Sequence, residues 1–415
     1  MTELFDPFGL DENPFPAFAR ARASGGILPG VPPYANLGPT VYTFTYRLVE
    51  LALKHPRLLH SPPGDHRLIA DSIEPGQHLV GILNRSLLMA DPPRHGILRR
   101  PLNPAMRPAD ASALATWIRA QAMAIATEIV KRGRFDAVQD FAIPFTLQVL
   151  GRVLGIAIPD TEMVRTATDA MARVIDIHRT PGGQEEAYAL EGFIEGEIAG
   201  GKFSPDGLVS TMVAQEQAGL WTREDRMANV LLFLFAGHET VVDTFGNAVL
   251  ELDANPAQRA LLEESRTAWT VAADELLRIC APVHYAAVRI AAEDLDLDGI
   301  ALRAGTAVVP VLTSANRDSA VWPGGDELRF DAPGSAGLTF SAGIHSCIGR
   351  HLARIELASM LEALFAAAPG WKLDGGAVRR RDSLVFRGLT SAPVMVSVDN
   401  QTNERAWTDT VTGRG

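Results

Sequence analysis

Only two cysteines occur in 415 residues, and one of them, Cys347, lies in Leu338-Thr-Phe-Ser-Ala-Gly-Ile-His-Ser-Cys-Ile-Gly-Arg-His-Leu-Ala-Arg354. The stretch reads as a loop feeding a helix. Phe340 and Gly343 precede the cysteine and Gly349 follows it. Ile348, Leu352, Ile355, Leu361, Leu364 and Phe365 then recur at mostly three-and-four spacing, the period of a helix with one buried face. Cys347 therefore falls at or near a helix N-terminus, where free backbone N–H groups and the helix dipole favour a thiolate. Gly343 and Gly349 remove side-chain bulk on either side, which leaves room for something large and flat to reach the sulfur. A thiolate open on one face suits a soft metal such as iron. Without these neighbours, a lone cysteine is most often a small buried core residue.

A second stretch runs from Thr222 to about Leu252. Thr222 and Asp225 form a capping-box pattern at a helix start. Val230 to Ala236 is apolar on every face, which predicts a central buried helix. Ala236-Gly-His-Glu-Thr240 follows. A His and a Glu inside such a helix are costly unless paired or used. Gly237 thins the helix, and Thr240 can bond back to the carbonyl four residues earlier. A zinc-protease reading of His238-Glu239 fails, because position 242 is Val rather than His. A hydroxyl beside a carboxylate is suited to moving protons. The plain alternative is a kink with Thr240 as a satisfied core hydroxyl.

Two shorter pairs stand elsewhere. His95 and Arg99 follow the turn signal Asp91-Pro-Pro93 and share a helix face. Together they suit a carboxylate pair, or else form a solvated basic face. Glu275 and Arg278 are three apart and can pair directly, a spacing that solvated pairs also show.

Phe-x-x-Gly-x-His-x-Cys-x-Gly followed by Leu-Ala-Arg, from Phe340 to Arg354, resembles the haem-ligand loop of the cytochrome P450 family. Ala236 to Thr240 resembles the family's (Ala/Gly)-Gly-x-(Asp/Glu)-Thr, and the two pairs resemble its His-x-x-x-Arg and Glu-x-x-Arg. The motifs occur in the family's order, and the resemblance covers roughly residues 10 to 398. It implies a mainly α fold with a smaller β-rich lobe. The single domain would span residues 1–400, helix-rich over about 89–290 and 348–367, with β-rich segments near 38–47, 286–312 and 383–399 and a polar tail at 401–415.

The resemblance also implies haem b with Cys347 as the proximal iron ligand, and Phe340, Gly349 and Ala236 against the haem. His95, Arg99, Arg289 and His345 would reach the propionates. Thr240 and Glu239 would steer protons to dioxygen. Glu275 and Arg278, with Arg329, would form a structural triad. Leu79, Val80, Ile82 and Leu83 would cover the substrate, and Phe235, Val283, His284, Tyr285, Ala286 and Phe386 would line its pocket. Val174, Ile175, Ile177 and His178 fall where the family places its access channel. His178 and His284 either touch a polar group on the substrate or are ordinary histidines. The implied reaction inserts one oxygen atom of O2 into a hydrophobic small molecule, by hydroxylation or epoxidation, in secondary metabolism. The alternatives are a haem-thiolate peroxygenase, a non-redox isomerase and a non-catalytic haem protein.

Electrons would come ultimately from NAD(P)H through a separate ferredoxin or flavodoxin, docking on Arg94, Arg100, Arg107, Arg350 and Arg354. A net charge of −11 argues against nucleic acid as a partner. The absence of CxxC argues against a zinc site or disulfide framework. The N-terminus has no apolar signal region, and no run of about 18 apolar residues occurs. A cytoplasmic monomer without a membrane anchor is expected. Local patterns predict a strand over Thr40–Tyr46, a helix over Leu48–Leu59, loop over 61–85 and helices over about Ala111–Leu250. They also predict short strands over 295–312, and a closing hairpin from Ser383–Thr390 with Val394–Val398.

Overall fold

The computed structural model describes residues 4–10, 12–34, 36–61, 78–158, 161–176, 184–264, 269–330 and 335–396. Its longest element is the 32-residue helix Arg223–Ala254, about 48 Å at 1.5 Å per residue. The expected capping box starts it: Asp225 N donates to Thr222 Oγ1 at 3.1 Å, and Thr222 N donates to Asp225 Oδ2 at 2.8 Å. Val230 through Phe235 are all buried, as a helix apolar on every face requires. Helices His78–Arg85, Ile143–Leu154, Thr161–Ile175 and Arg350–Ala367 pack around it. At Gly237 the approach is close: a Cβ there would lie 2.7 Å from Leu150 Cδ2.

The helix after the cysteine, Arg350–Ala367, packs along Pro108–Ile129. Ala122 and Ala126 on one and Ala358 and Ala363 on the other are buried, and such small side chains let two helices lie close. These helices and the long one share one large apolar core.

The β-rich lobe is a five-stranded sheet in the order Ile27–Gly30, Thr40–Thr43, Ala307–Pro310, Arg289–Ala291, Leu58–Leu59. Thr40–Thr43 pairs parallel with Ala307–Pro310. Phe5, Phe18, Tyr42 and Phe44 form a separate aromatic core on this sheet. The mainly helical fold with small sheets agrees with the expectation. Among the described residues no helix is long and apolar enough to cross a membrane.

Several local expectations are corrected. The strand from Thr40 stops at Thr43, because Thr45 caps a helix over Tyr46–Lys54 by accepting from Leu48 N. Leu58 and Leu59 are not helical: they pair antiparallel with Ala291 and Ile290. Part of the expected loop over 61–85 is the helix His78–Arg85, and 62–77 lie outside the described residues. The stretch from Ala111 to Leu250 is interrupted by a strand, Arg134–Asp136, and a π-helical segment, Ala137–Ala142. The expected closing hairpin does not pair with itself. Leu389–Ser391 pairs with Arg379–Arg380, whereas Pro393–Met395 lies between Arg134–Asp136 and Lys372–Leu373. Asp136 holds the crossing point, accepting from Ala392 N at 3.1 Å. Ile177, His178, residues 397–398 and the tail 401–415 lie outside the described residues.

Candidate active site

A cavity of about 360 Å³ lies where the long helix, the cysteine loop and the segment Val283–Arg289 meet. Phe235, Ala236, Gly237 and Thr240 form one wall, and Phe340, Cys347 and Gly349 form another. Val283 and Tyr285 are held in place by β-bridges to Phe386 and Val311.

Cys347 precedes the helix that starts at Arg350, and its N–H donates to Phe340 O at 2.8 Å. Burial dominates its titration and pushes the thiol up, against the Gly349 backbone and Arg99, Arg350 and Arg354, which pull it down. The expected thiolate is therefore not what the helix end alone produces; a cation on the sulfur has to displace the proton. The other cysteine, Cys280, is buried and pushed up to about 12, and does not reach the cavity. The two glycines differ from expectation. A Cβ on Gly349 would meet only Cys347 Sγ, at 4.0 Å. Gly343 has φ 72°, and its Cβ would lie 2.7 Å from Leu53 O. Gly343 thus serves the turn and its contact with helix Tyr46–Lys54, not access to the sulfur.

Beside the sulfur the structure gathers basic groups from four parts of the chain. Arg99 donates to Ile344 O at 3.1 Å and Ser346 O at 2.7 Å, tying its helix to the cysteine loop. The His95 and His345 rings are 4.4 Å apart. His60 joins them, with its ring 4.8 Å from His345 and its Nδ1–H donating to Val288 O at 2.9 Å. Burial pushes His60 down to about 3, with Arg289 and His95 acting in the same direction, and pushes His345 down as well. Burial lowers Arg289 to about 10. His95 Nε2, His345 Nε2 and Arg289 Nε are buried without a hydrogen-bond partner. Sequence reasoning missed His60, which carries no motif and follows the two-residue strand Leu58–Leu59.

On the long helix, Thr240 Oγ1 donates to Ala236 O at 2.8 Å, the expected back-bond. Glu239 turns away from the cavity. Its Oε1 accepts from Thr168 Oγ1 at 2.7 Å, and its Oε2 is bound by Arg381 Nη2. Arg381 also meets Asp169 at 3.4 Å and Asp243 at 3.6 Å. Burial raises Asp243 well above the usual carboxylate range. Sequence reasoning missed Arg381 and Asp243. It also missed Glu356 on the cavity wall, whose carboxyl is raised well above its usual range by burial alone. Glu356 lies four residues after Leu352 on the cysteine helix, so a polar residue on the apolar stripe was the available signal.

Glu275 and Arg278 pair at 2.6 and 2.8 Å, and Arg278 also donates to Asn316 O, Gly325 O and Glu327 O. Arg329 meets Glu275 through its backbone N–H, at 3.0 Å. The triad drawn from sequence is thus closed by main chain around Arg278.

The pocket residues divide. Phe235, Val283, Tyr285, Ala286 and Phe386 line the cavity. Leu79, Ile82 and Leu83 are buried in the helical core, and Val80, on the same helix, is not on the cavity wall. That helix packs on the long helix through its apolar face instead. His284 is a core histidine: its Nδ1 bonds Thr313 Oγ1 at 2.8 Å, with Phe15 and Phe18 against its ring. In the basic patch, Arg94 is paired with Asp225 and Arg354 with Asp274. Arg100, Arg107 and Arg350 stay exposed.

A family model for Cytochrome P450 matches residues 202–367. Cytochrome P450 monooxygenase PikC of Streptomyces venezuelae is 31% identical over 394 residues, 92% of this chain and 91% of that protein. The chain belongs to the cytochrome P450 family. Vitamin D(3) 25-hydroxylase of Pseudonocardia autotrophica is also 31% identical, over 95% of this chain and 96% of that protein. The structure of the tirandamycin C-bound P450 monooxygenase TamI superposes with a TM-score of 0.81 at 28% identity, covering 95% of this chain and 100% of that one. That of P450BioI with a ligated acyl carrier protein does so at 0.83 and 25%, covering 92% and 98%.

Membership in this monooxygenase family implies haem, and the residues fit one. Among the described residues no three His, Cys, Asp or Glu side chains cluster to hold a bare metal ion, so an iron at Cys347 has to bring its other ligands. Three buried, unpartnered nitrogens of basic side chains beside an open thiol match a flat group carrying carboxylates.

Proposed function

We propose that Cys347 binds the iron of haem b and that this P450 hydroxylates or epoxidises a hydrophobic small molecule. The observation that supports the reading is the apolar cavity shared by Cys347 and Thr240. His95, Arg99, Arg289 and His345 would hold the propionates, with His60 packed against the His345 ring. Bound haem supplies the activation of dioxygen, with two electrons and two protons consumed per turnover.

The chain's own task is to exclude water and meter protons. Phe235, Val283, Val385 and Phe386 keep the cavity apolar. Thr240 Oγ1 passes a proton into the cavity when it leaves the Ala236 carbonyl. Glu239 is the indirect member, because its carboxylate is held by Arg381 and Thr168 and reaches the cavity only after Arg381 releases it.

The substrate is proposed from the cavity lining and from relatives. Those relatives include a vitamin D(3) hydroxylase and a tirandamycin C-bound enzyme. A polyketide- or terpenoid-sized molecule fits, free or tethered to a carrier protein, in secondary metabolism. Electrons come from a ferredoxin or flavodoxin. Its acidic face meets exposed Arg100, Arg107 and Arg350, with Ile97 and Ile344 as apolar contacts. The two free cysteines suit a reducing cytoplasm, and the protein acts as a monomer.

The first experiment is an optical titration of the ferric protein against terpenes, steroids, fatty acids and polyketides, with carbon monoxide added after reduction. A low- to high-spin Soret shift identifies the substrate class. No haem spectrum after reconstitution would remove the whole reading. With a substrate in hand, Thr240→Ala should consume oxygen without a matching yield of product. Unchanged coupling would discard the role given to Thr240.

A further inference from the structure

Three tyrosines line the end of the cavity walled by the N-terminal segment: Tyr34, Tyr42 and Tyr285. Two of their hydroxyls are committed to the chain itself. Tyr34 donates to Ile175 O and Tyr42 to Val31 O, each at 2.8 Å. The third is not. Tyr285 is 6% exposed, and its ring packs against Tyr42 and Phe18 at centroid distances of 6.1 and 6.3 Å. Its hydroxyl has no hydrogen-bond partner among the described residues, yet it is not sealed in, unlike the enclosed unpaired groups of His95 and Arg289.

The surroundings offer no other partner. Pro7, Pro33, Ile175, Val309 and Val385 also line the cavity, and none has a side chain that hydrogen-bonds. The wall threonines elsewhere are occupied: Thr240, Thr244 and Thr339 each donate to a backbone carbonyl. A hydroxyl that opens onto an apolar cavity gains from a partner that enters it, and burial of the residue pushes the Tyr285 phenol further from ionisation, so it stays a neutral donor and acceptor.

We propose that the Tyr285 hydroxyl is the polar anchor of the substrate site. It binds a hydroxyl or carbonyl oxygen on an otherwise apolar molecule, at the end remote from the carbon that is oxidised. The inference rests on the haem reading above, and it narrows the substrate class to molecules with an oxygen function away from the reacting carbon. A site built to pair with one oxygen rejects the analogue that lacks it more strongly than an apolar wall rejects an extra methylene. Tyr285 would therefore set which molecules bind and in which direction they lie.

The test needs no knowledge of the natural substrate. A series of 1-alkylimidazoles with chains of six to fourteen carbons, and the matching chains ending in a hydroxyl, are titrated into the haem-loaded protein. Imidazole on the iron gives an optical readout and fixes one end of each probe. In the wild type, one chain length should show a marked gain for hydroxyl over methyl. In Tyr285→Phe that gain should fall about five- to tenfold, with the affinity of the methyl series unchanged. The ring contacts are kept in this variant, and Tyr34→Phe serves as the control that should leave the ratio alone. If the hydroxyl-to-methyl ratio is the same in wild type and Tyr285→Phe at every length, the anchor is refuted while the haem reading stands. If a Soret band forms but no probe shifts it, the cavity does not admit a chain between iron and Tyr285 and the anchor is refuted; if reconstitution gives no Soret band at all, the haem reading fails and the anchor fails with it.

Discussion

Replacing Arg381 with methionine removes the cation shared by Glu239, Asp243 and Asp169. The side chains of Glu239 and Asp243 are 2% and 0% exposed, so water cannot take over the guanidinium's part. Breaking a buried pair by removing one partner costs about 3–5 kcal/mol, and the methionine stem keeps most of the packing, so the loss is chiefly electrostatic. The loss should depend on pH. Asp243 and Asp169 already titrate above the usual range because of burial, and Arg381 pulls both down. Without it they rise further, so the folded variant holds protons that the unfolded chain, with Asp near 3.9, has released. Stability falls with rising pH wherever the folded state binds more protons. The deficit relative to wild type should therefore be full at pH 8. It should shrink on acidification by about 1.4 kcal/mol per pH unit for each carboxyl that gains its proton. Urea unfolding followed by tryptophan fluorescence at pH 5.5 and pH 8, with recovery checked on dilution, measures it. A deficit under about 1 kcal/mol at pH 8, or one equal at both pH values, would refute this account of the cluster.

Four further outcomes follow from the structure. Arg278→Leu strands Glu275 and three backbone carbonyls. It should cost about 3–5 kcal/mol and sharply lower the yield of haem-loaded protein, read from the Soret absorbance per polypeptide. Gly388→Ala would place a Cβ 1.8 Å from Asp243 Oδ1 and should destabilise by about 1–3 kcal/mol. Gly375→Ala, with open space around it, should leave the urea midpoint unchanged. His95→Ala should speed haem transfer to apomyoglobin by roughly ten- to a hundredfold, the worth of a hydrogen bond to a charged group, because His95 Nε2 is buried without a partner; an unchanged transfer rate would remove His95 from the propionate corner.

What the sequence by itself determined is the chemistry written within one turn of chain. The Thr222–Asp225 box, the Thr240 bond to Ala236 and the Glu275–Arg278 pair each join residues three or four apart. Helical geometry alone brings such residues together, so their spacing is enough to find them. The apolar run at Val230 likewise announced a buried helix, because burial follows the period of the side chains. Tertiary structure alone decided which distant groups meet. Arg381 and Glu239 are 142 residues apart, and His60 reaches Val288 across 228. No local period links such positions, and the Arg379–Asp382 run reads like any solvated charge cluster. Packing also reversed two local inferences. Burial raises the Cys347 thiol where the helix end would lower it. Asp136 parts the final strands onto different sheets. In both cases the deciding energy, desolvation in one and a side-chain bond across more than two hundred residues in the other, comes from neighbours that only the folded chain supplies.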